Sequence, residues 1–250
     1  MKTLALLDAD IIAFRCSASA ENDPQEIAEI RCDELIRKIL HDTNSLHYKT
    51  FLTGTDNFRK KLFPEYKANR KDKPRPKWLQ ACRDHLVKYW HAEIVDGKEA
   101  DDALGIEQTA HELDSVICSI DKDLLQIPGF HYNFVKQEEK FISPFDGMRN
   151  FYKQLITGDS ADNIPAFDGK LRNSIPKFVQ KLLDPLDEMI EELDMYNYAY
   201  KVWEEEFGNP LGFKHLEERL HTHASLLYIW RKENDKWIKP GAQQDDTASL

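Results

Sequence analysis

Short apolar runs alternate with segments of helical period along the first 135 residues of the chain. Residues 3–7 form a continuous apolar run that stops at Asp8-Ala9-Asp10, the pattern of a buried parallel strand carrying carboxylates at its C-terminal end. Residues 24–40 place Ile27, Ile30, Leu35, Ile36 and Ile39 close to helical spacing, which predicts an amphipathic helix. Further strands are expected over 48–52, 92–95, 115–120 and 131–135, and helices over 77–89 and 99–113. Asp121 opens a short predicted helix ending near Pro128-Gly129, and Ser143-Pro144 reads as an N-cap and N1 proline of a helix reaching residue 157. This alternation indicates an α/β fold, a mostly parallel central sheet with helices on both faces.

After residue 157 the pattern changes to helical segments at 174–183, 186–207 and 213–232, with no further clear strand. The expected division is therefore a core over 1–157, a helical region over 158–232 and a polar tail over 233–250 whose end is disordered. Asp187, Glu188, Glu191, Glu192 and Asp194 have the spacing of a solvated helix face, and His221 and His223 read as surface or packing residues.

Composition narrows the setting. At 250 residues and 41% hydrophobic content the chain can bury a core, yet no apolar run approaches the roughly 18 residues a membrane span needs. The apolar part of the N-terminus is too short for a signal peptide. Cys16, Cys32, Cys82 and Cys118 have neither metal-finger nor disulfide-framework spacing, so reduced thiols in a cytoplasm are expected. The net charge of −10 argues against nucleic acid on average, but the average hides a basic segment. Residues 58–77 hold Arg59, Lys60, Lys61, Lys67, Arg70, Lys71, Lys73, Arg75 and Lys77 against only Glu65 and Asp72. A basic segment in an acidic chain suits a polyanion. Prolines 64, 74 and 76 make it a loop leading into the helix over 77–89.

Carboxylates gather where strands end. Asp8 and Asp10 follow the first strand, Glu99, Asp101 and Asp102 the third, Asp121 and Asp123 the fourth, and Asp159 and Asp162 stand at a later helix-to-loop junction. Open α/β sheets bind ligands outside the carboxyl ends of their strands. So many like charges in one cleft would repel and raise each other's pKa. A hard divalent cation, magnesium or manganese, removes that cost in all-oxygen surroundings. Zinc is not expected, because neither His nor Cys sits at ligand spacing beside these acids. Two such ions about 4 Å apart serve an in-line phosphoryl displacement. With a basic segment to hold flanking phosphates, the combination points to a nucleic-acid phosphodiesterase that uses water as nucleophile. For Glu99 and Asp101 to face one site, the helix must begin after Glu99.

Five motifs occur in order: Asp8 after an apolar strand, Phe58-Arg59-Lys60-Lys61-Leu62-Phe63-Pro64-Glu65-Tyr66-Lys67-Ala68-Asn69-Arg70, Glu99-Ala100-Asp101-Asp102, Asp121-Lys122-Asp123, and Gly158-Asp159-Ser160-Ala161-Asp162-Asn163-Ile164-Pro165. Over about residues 3–170 the chain resembles the 5′→3′ exonuclease and flap endonuclease family, most nearly its stand-alone bacteriophage members and the nuclease domain of bacterial DNA polymerase I. The resemblance implies a PIN-like core, two magnesium ions for which manganese substitutes, and cleavage of DNA at 5′ ends or flaps, extending to RNA in hybrids. Host cytoplasm and a monomer are the matching expectations. By position, Asp8, Glu99 and Asp101 match the first-metal carboxylates, Asp121 lies between sites, Asp123, Asp159 and Asp162 match the second-metal side, and Asp102 is a neighbour. Lys67 and Arg70 match the basic pair at the base of the family's helical arch, near the phosphate that is cut.

Two departures qualify the match. The family places an aspartate at the end of the second strand, where this chain has Gly54, or Thr53 if the loop shifts by one; Asp10 and Asp56 are candidate substitutes. After Pro165 the family carries a glycine-rich helix–hairpin–helix, whereas residues 166–174 contain one glycine. A modified duplex grip would use Lys170, Arg172 and Lys177, without support for a monovalent ion. The rival readings are a PIN-type ribonuclease, which has no need of the Phe58 to Arg70 segment, and a DNA-end-binding protein that has lost cleavage.

Overall fold

The strand read from residues 3–7 is β1 (Leu4–Asp8), and its alternation organises everything around it. Ala5 and Leu7 point to one face of the sheet and Leu6 to the other, and both faces are fully buried. A strand buried on both sides needs no polar alternation, which is why this segment reads as an unbroken apolar run. β1 pairs in parallel with β2 (His47–Asn57) and β4 (Ser115–Cys118); β2 pairs in parallel with β3 (Glu93–Gly97), and β4 with β5 (Gly129–Asn133). An antiparallel edge strand, β6 (Glu138–Ile142), completes the order β3-β2-β1-β4-β5-β6.

In this computed structural model, residues 3–71, 73–207 and 213–241 are described. The chain forms two units: Met1–Gly147 with Ile229–Asp235, and Met148–Tyr228 with Lys236–Leu250. In the first unit, α1 (Ala9–Ser19), α2 (Gln25–Asp42) and α4 (Leu79–Trp90) cover the Ala5 and Leu7 face. A short α3 (Phe58–Leu62) follows β2 directly. On the opposite face, α5 (Ala100–His111) packs Ala100, Ala103 and Leu104 against Leu6, Phe51, Val95 and Ile117, with Ile229 joining from the returning chain. The helix α6 (Pro144–Thr157) runs from the first unit into the second, its first turn held by Ser143 Oγ, which accepts the Asp146 N–H at 3.1 Å. The second unit holds α7 (Lys177–Leu183), α8 (Glu192–Phe207) and α9 (Phe213–Leu227) around Trp203, Tyr152 and Leu155.

Several expected boundaries are corrected. α1 and β6 were not expected; α7 starts only after Pro176, which lacks the N–H a helix interior needs. The helix expected over 186–207 is broken into a 3₁₀ turn (Asp184–Glu188) and α8. That over 213–232 ends at Leu227, because residues 229–235 return to the first unit. The division at 157, 158–232 and 233–250 is thus redrawn: Trp237 is buried in the second unit against Phe151, Tyr196 and His221. The expected disorder of residues 242–250 lies outside the described residues. His223 packs edge-on against Trp203, and Cys16, Cys32, Cys82 and Cys118 are buried thiols outside any disulfide. Among the described residues no helix is long and apolar enough to cross a membrane.

Candidate active site

Parallel pairing brings the C-terminal ends of β1 and β4 side by side, and the chemistry begins there. Asp8 ends β1 and caps α1, its Oδ1 accepting the Ile11 N–H at 3.1 Å. Its Oδ2 accepts the Ser119 hydroxyl at 2.6 Å, while Ser119 Oγ accepts the Asp121 N–H at 2.9 Å. Ser119, which sequence reading missed, therefore ties the first two acids of the site together. Asp121 Oδ1 in turn accepts the Asp123 N–H at 2.9 Å and shapes the loop after β4. Burial pushes the Asp8 carboxyl up to about 7, with repulsion from Asp10 and Asp121 adding to it and the bonds from Ser119 and Ile11 only partly opposing it.

α5 supplies the other wall. Glu99 is its N-cap with extended backbone (φ −98°, ψ 165°), so the helix does begin after Glu99. Glu99 is buried, and burial pushes its carboxyl up, but Lys67 and then Arg59 outweigh that and hold it below the usual range. Lys67 Nζ donates to Glu99 Oε1 at 2.5 Å and the Tyr66 hydroxyl to Oε2 at 2.7 Å. Lys67 adopts the left-handed region (φ +57°), uncommon for a residue with a long side chain. Asp101 is raised well above the carboxylate range by burial and by repulsion from Asp121, Asp8 and Glu99, with Lys67 offsetting part. Asp8, Glu99, Asp101, Asp121 and Lys67 thus form one electrostatically interacting group.

Two expectations are corrected here. Asp102 does not stand among the available acids: its oxygens receive Arg59 Nη1 at 2.6 Å and Nη2 at 2.8 Å, the Glu99 N–H at 2.9 Å and the Trp230 N–H at 3.1 Å. Arg59 is not a surface contact for DNA; it is 2% exposed and bound to Asp102. Of the remaining basic residues, Lys60, Lys61, Arg70, Lys71, Lys73, Arg75 and Lys77 are exposed, with Lys61 paired to Asp56. In the second unit, Asp159 is buried and pairs its backbone with Ile164, and Arg172 is bound to Asp168. Lys170 and Lys177 are exposed there. Gly158 takes φ +66°, and a Cβ on it would meet the Ile164 carbonyl oxygen at 2.5 Å.

The missing second-strand acid has a structural reason. A Cβ on Gly54 would lie 2.1 Å from Asp96 Oδ1, because the Asp96 carboxylate folds over β2 and accepts the Thr55 N–H at 3.0 Å. Neither suggested substitute is uncommitted. Asp10 accepts the Thr53 N–H at 2.9 Å and binds Arg83, and exposed Asp56 pairs with Lys61.

The donor set suits a hard divalent cation. Asp8, Glu99, Asp101 and Asp121 offer only carboxylate oxygens, and burial together with neighbouring acids raises Asp8 and Asp101, a cost that a bound cation would relieve. Among the described residues no three His, Cys, Asp or Glu side chains already converge at ligand distance.

Comparison with known proteins agrees with this architecture. Residues 3–155 match the family described as 5′-3′ exonuclease, N-terminal resolvase-like domain. A protein of Shewanella baltica named flap endonuclease Xni is 27% identical over 167 residues, covering 60% of this chain and 62% of its own length, so the chain spans under two thirds of that relative. A namesake from Shewanella sp. strain ANA-3 is 25% identical over 243 residues, covering 82% and 90% of the two chains. Two bacteriophage T5 structures share the fold: a protein co-crystallised with metal ions (TM-score 0.52, 16% identity, 88% and 99% coverage) and a flap endonuclease pseudo-enzyme-product complex with DNA and metal ions (TM-score 0.50, 17% identity, 90% and 99% coverage).

Proposed function

The chain belongs to the 5′-3′ exonuclease family, and from that premise we propose that it is a divalent-metal-dependent nuclease hydrolysing DNA from 5′ ends and at flaps. The observation that carries the reading is the group of Asp8, Glu99, Asp101 and Asp121 gathered at the strand ends, where burial first and neighbouring acids second raise Asp8 and Asp101. Magnesium is the proposed ion, with manganese able to replace it; when bound it would activate water and stabilise the leaving oxygen. Asp8, Glu99, Asp101 and Asp121 would hold it, and Asp123, Asp159 and Asp162 are assigned to a second ion on the resemblance alone.

The chain's own residues do the rest. Lys67, once turned from Glu99, offsets charge growing on the transferring phosphate, and Arg70 holds the same phosphate. Lys60, Lys61, Lys71, Lys73, Arg75 and Lys77 line an exposed basic segment for flanking phosphates, and Lys170, Arg172 and Lys177 would contact the duplex. Ser119 keeps Asp8 and Asp121 in register by bridging them. Polarity, the use of RNA–DNA hybrids, the monomeric state and the host cytoplasm are proposed on the family resemblance.

The test is incubation of 5′-labelled duplex, flap and hybrid substrates with the protein, in magnesium or in chelator. Cleavage should require metal and fall at least about a hundredfold in an Asp121→Ala, Asp123→Ala variant. Product formed equally in chelator would overturn the reading.

A further inference from the structure

Residues 229–235 lie beyond the 3–155 segment that matches the family, yet they complete the unit that carries the acids. The Ile229 N–H is received by Gln126 Oε1 at 3.0 Å, and Arg231 Nη2 donates to the Gln126 carbonyl at 3.2 Å. Lys98, beside the N-cap of α5, pairs with Glu233 at 2.6 Å. Gly105 of α5 allows this approach, since a Cβ there would stand 2.5 Å from the Trp230 carbonyl oxygen. The segment is therefore tied to both the loop after β4 and the start of α5.

Trp230 makes the connection that reaches the site. Its backbone N–H donates to Asp102 Oδ1 at 3.1 Å, and its ring stacks on Phe58 with centroids 5.1 Å apart and planes 21° from parallel. Phe58 adjoins Arg59, whose guanidinium lies 4.6 Å from the Phe58 ring centroid and binds both oxygens of Asp102. Asp102 Oδ2 then accepts the Glu99 N–H at 2.9 Å. Trp230 thus touches Asp102 through its backbone and, through its ring, the Phe58 ring that Arg59 lies over, so it braces the buried pair that fixes the backbone of Glu99. Rotamers locked by packing and outer hydrogen bonds are what hold a reactive constellation in place.

We propose that the 229–235 strap positions the acidic site, with Trp230 as its positioning residue acting on Glu99 through Phe58, Arg59 and Asp102. The metal part of this inference rests on the function proposed above; the local ordering does not. Loss of the ring frees Phe58 and loosens the Arg59–Asp102 pair, so Glu99 samples orientations that do not face Asp101. A strap with a purely structural role would lower the stability of the first unit evenly instead. Neither Trp230 nor Phe58 is among the residues that fill the two faces of the sheet, so loss of the ring leaves those cores in place.

The experiment uses the full chain as parent, Trp230→Ala, Trp230→Phe and Ile229→Val, with metal-free hydrogen exchange by mass spectrometry and magnesium titration by calorimetry. Trp230→Ala should speed exchange over residues 99–103 about tenfold while leaving β4 protected, and should weaken magnesium binding about tenfold. Trp230→Phe, which keeps a stacking ring, should restore both. Ile229→Val, a packing change on the same strap, should lower the melting temperature and leave magnesium affinity within twofold. Unchanged exchange at 99–103, a uniform rise across the unit, or unchanged affinity in Trp230→Ala would overturn the positioning role. Should the alanine variant fail to fold, Trp230→Leu, which keeps apolar bulk but no stacking ring, takes its place: exchange at 99–103 and magnesium affinity both equal to the parent's would overturn it. A parent that binds no magnesium refutes the metal reading instead and leaves the exchange result to judge the strap.

Discussion

Lys67 Nζ donates to Glu99 Oε1 at 2.5 Å, and this one ammonium is the nearest counter-charge to a carboxylate buried at the mouth of α5. Replacing it leaves Glu99 with the Tyr66 hydroxyl and the more distant Arg59 guanidinium, 3.7 Å from Oε2.

Lys67→Met should therefore destabilise the metal-free protein by on the order of 1–3 kcal/mol, the cost of leaving a buried charged group short of a partner. Millimolar magnesium should recover most of that loss, because a cation replaces the ammonium. Calorimetric scans in chelator and in magnesium read both, and equal melting temperatures for parent and variant in chelator would sink the argument.

The Arg59–Asp102 pair behaves differently, because both partners are buried and doubly bonded. Arg59→Met should cost about 3–5 kcal/mol through the uncompensated Asp102 charge, whereas Lys60→Ala on the exposed side of α3 should stay within about 0.5 kcal/mol. Urea unfolding of the two variants side by side checks the contrast. A mild Arg59 variant with weakened DNA binding would return that residue to the surface role assigned from sequence.

The acids themselves give a pH signature. Asp8 keeps its proton to about pH 7 when folded but releases it near pH 4 when unfolded. Between those values the native state binds more protons, so the stability Asp8 contributes is full below about pH 4 and is lost as pH rises through about 7. Asp8→Asn removes that loss. In chelator the variant should gain on the parent by several degrees of melting temperature between pH 5 and pH 8. A gap that does not widen with pH would show that Asp8 is not held protonated.

His131 works in the opposite direction. Burial pushes it down to about 4, opposed only by the bond between its Nε2 and the Ile127 carbonyl. Its contribution is present above about pH 6.5 and lost as pH falls through about 4. His131→Gln should flatten the fall in melting temperature from pH 7 to pH 4 relative to the parent, and two parallel curves would rule the histidine out as its cause.

Much of the architecture was legible because buried parallel strands are continuous apolar runs, and β1 and β4 announce themselves that way. β6 does not: Glu138, Glu139, Lys140 and Phe141 are exposed on the sheet edge, and only Ile142 turns inward. α1 buries Ala9, Ile12, Ala13 and Cys16, a helical spacing carried partly by small residues that a hydrophobicity pattern registers weakly. The acids were legible as types, since carboxylates at strand ends have few structural uses. Their partners were not. Arg59 stands in a basic run and differs from Lys60 only in which way α3 turns it, Tyr66 reads as one more aromatic, and nothing near residue 119 announces that a serine bridges Asp8 and Asp121. The Arg59–Asp102 pair spans 43 positions, and no local pattern encodes a separation of that kind.

The contact between Gly54 and Asp96 has a consequence for redesign. An aspartate introduced at 54 to match the family would collide with a carboxylate 2.1 Å from its own Cβ, and removing Asp96 alone would strip the Thr55 amide of its acceptor. The Val95 carbonyl oxygen, 2.6 Å from the same Cβ, is main chain and would remain after Asp96 is changed, so position 54 is closed by the spacing of the second and third strands and not by one replaceable acid.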